Sequence, residues 1–137
     1  IVGDGELKNE ILKHIKEYKL EKICLIIPFT NNLEKYYQNA DIYISTSLHE
    51  SFGNTLVEAM HFNLFIISTD CPYGPREILN NGEYGILTKP GSSKELANAI
   101  LKTTRKAKPP NYKKYLNKYG DKFILNEYKK IFKIYSW

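Results

Sequence analysis

The chain has 137 residues, 42% of them hydrophobic, which suits one compact core and is too short for two domains of ordinary size. No apolar run has the length of a membrane span, and Cys24 and Cys71 lack metal-ligand spacing, so a spanning helix and a zinc site are excluded. The net charge of +5 is divided: residues 1–101 carry nine Lys/Arg against thirteen Asp/Glu, and residues 102–137 carry eleven against two.

Residues 1–2 running into Gly3-Asp4-Gly5 predict the end of a strand and a turn, and a chain that opens there is expected to be a fragment. Leu7, Ile11, Ile15 and Tyr18 recur at helical spacing and predict a helix over 6–20. The continuous apolar run 23–27 reads as a buried parallel strand with Cys24 as a core thiol, which points to a reducing, cytosolic setting. A short helix is expected over 33–39 and a strand over 41–45. A helix over 54–62 would have Asn54 as its cap. A strand at 64–68 and a single turn at 76–79 follow. The helix at 92–104 would be capped by Ser92 or Ser93, with Glu95 in its first turn. After Pro109-Pro110, residues 121–135 form an amphipathic pattern on Ile124, Tyr128, Ile131 and Tyr135. Strands alternating with helices predict an α/β fold, a doubly wound parallel sheet.

Ligands of open α/β sheets bind at the carboxyl ends of the strands, and three loops meet that description. Gly3-Asp4-Gly5 allows close backbone approach, but Lys8 stands where a dinucleotide fingerprint needs its third glycine, so alone it reads as a tight turn. The second loop, 49–53, enters the helix beginning at Asn54. The free N–H groups of such a start, with the helix dipole, form a phosphate site that Gly53 lets the anion approach. Glu58 leans back toward that start and Glu50 lies on the loop, so the pair can accept hydrogen bonds from ribose or hexose hydroxyls. Each glutamate singly suits a surface role; together, in a strand–loop–helix, they suit a ligand. The third loop is 69–77, where Arg76 fits a structural pairing with Asp70 or Glu77 better than a ligand contact.

Together the loops resemble the donor domain of family 4 retaining glycosyltransferases, of the two-domain GT-B type. That family's signature is a glutamate, seven residues and a second glutamate, here Glu50 and Glu58. Val2-Gly3-Asp4-Gly5, Pro28-Phe29, Asn39-Ala40-Asp41 and the stretches 70–79 and 81–87 match in the family's order, so the resemblance covers about the first hundred residues. It implies a Rossmann-like, three-layer α/β/α donor domain over 1–107, truncated at its N-terminus. It also implies a basic helical tail over 108–137 that packs on this domain or crosses to an absent N-terminal acceptor domain. Glu58 would hold the ribose, and Glu50 would meet the donor sugar or the reacting face. Phe52, Gly53, Asn54 and Thr55 would hold the diphosphate, next to the Gly3 and Gly5 turn. Pro28, Phe29 and Leu33 would border the base. The substrate implied is a nucleoside diphosphate sugar, UDP-linked by analogy with surface-polysaccharide enzymes, used with no metal and no other cofactor.

His61-Phe62-Asn63-Leu64-Phe65 departs from the small residues usual there, although Asn63 can still end a helix in the left-handed conformation. The family's diphosphate-clamping basic pair lies upstream of the opening glycine motif and is absent, so the 137 residues alone are expected to transfer no sugar. A stand-alone nucleotide-binding module is the alternative. A nucleic-acid partner is not expected: the tail interleaves Tyr112, Tyr115, Tyr119, Tyr128, Tyr135 and Trp137 with lysines but carries no recognised motif. The same pattern fits the cytoplasmic face of an anionic bilayer and a lipid-linked or saccharide acceptor there.

Overall fold

The computed structural model describes residues 1–103 and 108–120. The chain divides into two compact units, residues 1–36 and residues 37–137.

In the first unit, helix α1 (Lys8–Glu17) carries Lys8 paired to Asp4 at 2.7 Å. It buries none of its residues. Val2 pairs with Ile27 in a parallel bridge, flanked by bonds from the Ile1 amine to Leu25 O (2.8 Å) and from Gly3 N to Ile27 O (2.9 Å). The strand expected over 23–27 is not there. Ile23 is 80% and Leu25 69% exposed, and Cys24 is only half-buried rather than a core thiol. The reason lies upstream: the chain winds on past α1, with Leu20 N bonding Ile15 O. Ile23 N and Cys24 N both return to Leu20 O, which uses the amides a ladder would need. Helix α2 (Glu34–Tyr37) follows, and its last residue belongs to the second unit.

The second unit is α/β. Strands β1 (Ile42–Ser45), β2 (Phe65–Thr69) and β3 (Ile86–Thr88) form a parallel sheet in the order β1-β2-β3, with Ile44 opposite Ile67 and Ile67 opposite Ile86. Successive strand residues point to opposite faces, and Ile66 and Ile67 are both wholly buried, so the central strand is covered on both. Helix α3 (Asn54–His61) packs on β1 and β2 through Leu56, Ala59 and Met60. Helix α5 (Ser93–Thr103) packs on β2 and β3. Strand β3, which the sequence pattern does not announce, follows Gly85, where an added Cβ would meet Ile66 O at 2.7 Å.

The end of α3 is a Schellman motif: Asn63 stands at φ +59, its N–H bonds Met60 O, and Leu64 N–H bonds Ala59 O. Helix α4 (Pro75–Ile78) is the single turn expected. In the tail, Tyr112 is buried and donates to Leu64 O (2.9 Å) and Tyr84 O (3.3 Å), while Tyr115, on α6 (Lys113–Leu116), donates to Glu77 O at 2.6 Å. These bonds hold residues 112–116 to the body of the unit. The helix expected over 121–135, and with it any crossing, lies outside the described residues.

Candidate functional site

Because the three strands are parallel, the loops after β1, β2 and β3 leave the sheet at one edge. Buried hydroxyls line that edge: Ser45, Thr69 and Thr88 end the three strands. Thr69 Oγ1 donates to Ser47 O at 2.5 Å and so ties the loop after β1 to the end of β2. The loop after β2 is pinned in turn by the Arg76–Asp70 ion pair, which gives Arg76 the structural role expected of it. Gly74, at φ +95, presses on the first loop: a Cβ there would sit 1.7 Å from Phe52 O, so only glycine lets the two loops touch.

The start of α3 differs from the expectation. Its N-cap is Gly53, in the left-handed region at φ +96, ψ +49, and Asn54 is the first helical residue instead. Gly53 takes the cap because the backbone there stands at φ +96, which residues with a Cβ rarely adopt; a Cβ would also lie 3.1 Å from Leu56 Cδ1. Gly53 has no side chain to cap the first amides and, among the described residues, no acid stands in the first turn, so the positive end of the helix is left uncompensated by its own residues. An oxyanion at that position would gain N–H donors from Asn54 and Thr55.

The two glutamates flank this start and are held by side chains that sequence reasoning did not single out. Ser47 Oγ donates to Glu50 Oε1 at 2.7 Å, and Tyr37 Oη donates to Glu58 Oε2 at 2.9 Å. Tyr43, on β1, lies close to both: burial raises its pKa, a hydrogen bond with Thr55 opposes that, and the Glu50 and Glu58 charges raise it further. Burial, and then the Glu58 hydrogen bond and charge, also push the Tyr37 phenol well above its ordinary value. Both phenols therefore stay protonated at neutral pH. Phe52 is 36% exposed, with its ring edge-on to Tyr119 at 5.8 Å. Glu50, Phe52, Gly53, Asn54, Thr55 and Glu58 thus share one strand–loop–helix. Spacing alone could place them together but could not reveal Tyr37, which precedes Glu58 by 21 residues.

Gly3, Gly5, Pro28, Phe29 and Leu33 belong to the first unit. There Gly3 and Gly5 line a cleft of ≈ 280 Å³ with Leu7, Ile11 and Ile26. Phe29 is 74% exposed and Leu33 half-buried. Among the described residues, no group of three or more His, Cys, Asp or Glu is placed to hold a metal ion. No helix among them is long and apolar enough to cross a membrane.

A family model described as "Glycosyl transferases group 1" matches residues 1–123. An uncharacterized glycosyltransferase of Methanocaldococcus jannaschii is 39% identical over 105 residues, covering 67% of this chain and 26% of that protein. A Campylobacter jejuni protein, the N-acetylgalactosamine-N,N'-diacetylbacillosaminyl-diphospho-undecaprenol 4-alpha-N-acetylgalactosaminyltransferase, is 36% identical over 89 residues, 65% of this chain and 24% of its own. The chain therefore spans about a quarter of the length of these relatives. Among solved structures, Anabaena HepE in complex with UDP-glucose superposes with a TM-score of 0.70 at 31% identity, over 76% of this chain and 30% of that one.

Proposed function

The chain belongs to the glycosyl transferases group 1 family, and from that premise we propose that it is the donor-binding half of a retaining glycosyltransferase that uses a UDP-linked sugar. The observation that carries the reading is the uncapped, acid-free start of α3 behind left-handed Gly53, with Glu50 on one side and Glu58 on the other. In this reading the diphosphate rests on the amides of Asn54 and Thr55, beside Phe52 and Gly53. The helix dipole meets the charge that grows on the leaving diphosphate as the sugar departs, without a metal ion. Glu58 accepts the ribose hydroxyls. Glu50, oriented by Ser47, faces the donor sugar at the reacting side.

The UDP-glucose bound to Anabaena HepE supports a UDP-linked donor. The diphospho-undecaprenol in the name of the Campylobacter jejuni relative supports a lipid-linked acceptor, and the reading places the reaction at the cytoplasmic face of a membrane, in surface-polysaccharide or glycolipid synthesis. Acceptor recognition then falls to a further, N-terminal domain.

Calorimetry with UDP and a UDP-sugar tests the assignment. Glu58→Ala weakens both ligands by a similar factor, about 1.5–3 kcal/mol for lost charge-assisted hydrogen bonds. Glu50→Ala spares UDP and weakens only the UDP-sugar. Unchanged affinities in the Glu58 variant refute the ribose assignment, and equal losses for both ligands in the Glu50 variant refute its contact with the sugar.

A further inference from the structure

Glu58 is an exposed residue of α3, where a free carboxylate would sample several rotamers. It is held instead by a group built for the purpose. Tyr37 is 8% exposed, and its ring is clamped on two sides: it stacks on Phe62 at 5.3 Å with planes 15° apart, and it meets Tyr43 at 6.0 Å. Phe62, one of the residues that sets this sequence apart from the small residues expected beyond α3, thereby has a place: it backs Tyr37. The hydroxyl of the clamped ring donates to Glu58 Oε2 at 2.9 Å. A carboxylate has about four lone-pair sites, and the phenol takes one, which leaves the others for a ligand.

We propose that Tyr37 is a positioning residue that fixes the Glu58 carboxylate for the vicinal diol of the nucleotide ribose. This rests on the ribose reading of Glu58 given above. The phenol donates a proton that it keeps, so the carboxylate stays an acceptor and its remaining lone pairs face the two ribose hydroxyls. Tyr37 itself does not touch the ligand. Its contribution is to remove the rotamer freedom that Glu58 would otherwise lose on binding.

Tyr37→Phe isolates the hydroxyl, since the phenyl ring keeps the stack on Phe62 and the contact with Tyr43. The probes are UDP and 2′,3′-dideoxy-UDP, titrated into wild type, Tyr37→Phe and Glu58→Ala. Tyr37→Phe is expected to weaken UDP about 2- to 12-fold, the worth of one hydrogen bond. The dideoxy nucleotide should bind wild type and Tyr37→Phe equally, because the diol that the carboxylate serves is gone. Equal losses for both nucleotides in Tyr37→Phe would overturn the proposal, since they mark a general structural role. Unchanged UDP affinity in Tyr37→Phe, with a loss in Glu58→Ala, would overturn it and leave the ribose reading standing. Unchanged UDP affinity in Glu58→Ala would remove the ribose reading and the proposal together.

Discussion

Helices α3 and α5 both start at the carboxyl edge of the same sheet, and their first turns are finished in opposite ways. At α5, Ser92 Oγ accepts from Glu95 N at 3.3 Å, and Glu95 reaches back to accept from Lys89 N at 2.8 Å. This is a capping box whose glutamate serves the preceding loop, and an acid in the first turn complements the dipole. At α3 the cap is a left-handed glycine, which brings no side chain to the amides, and the first turn has no acid. A glycine cap forgoes only about a few tenths of a kcal/mol against serine or asparagine, so leaving this start open costs the fold little. The difference teaches that α5 is finished by its own side chains, whereas the start of α3 is open to the anion proposed above.

The largest break in this comparison comes from Gly74→Ala. Its Cβ would overlap Phe52 O, and the backbone of the loop before α3 must move. Denaturant unfolding should show a loss of about 3 kcal/mol, the upper end of the overpacking range, and UDP binding should fall with it. Next comes Ser92→Ala, which should cost about 1 kcal/mol of stability and leave UDP affinity unchanged. A loss of UDP affinity there would mean that α5 also serves the ligand. The smallest change has opposed signs. Asn54→Asp puts an acid on the open start of α3, so stability should rise by about 0.3–1 kcal/mol while UDP binding weakens several-fold. A variant that is more stable and binds UDP equally well would disconnect that helix start from the diphosphate.

The fold was legible where local chemistry and tertiary setting agree. The runs 23–27 and 64–68 look alike in sequence, yet only the second became a strand, because β2 has a partner on each side and cover on both faces. Residues 23–24 instead bond back to Leu20 O. An apolar run says that burial is wanted and not that a ladder is available. Strand β3 went unread because three residues carry no period. Asn63 was legible, since few residues other than glycine end a helix at φ +59 so readily. Asn54 suits the cap by its side chain alone, but Gly53, one residue earlier, takes it because the backbone there turns to φ +96, where glycine is at ease. The glutamate pair was visible as a spacing, but the groups that aim it were not: Tyr37 and Tyr43 look like ordinary core aromatics until the fold brings them to Glu58.

Hydrogen–deuterium exchange of the protein with and without UDP tests the open helix start most directly. Exchange at amide positions 54 and 55 should slow on adding UDP, because the nucleotide supplies the acceptors that the fold does not, while positions 93–96 should be unchanged. Unaltered exchange at 54 and 55, or slowing at the start of α5 in its place, would contradict the account.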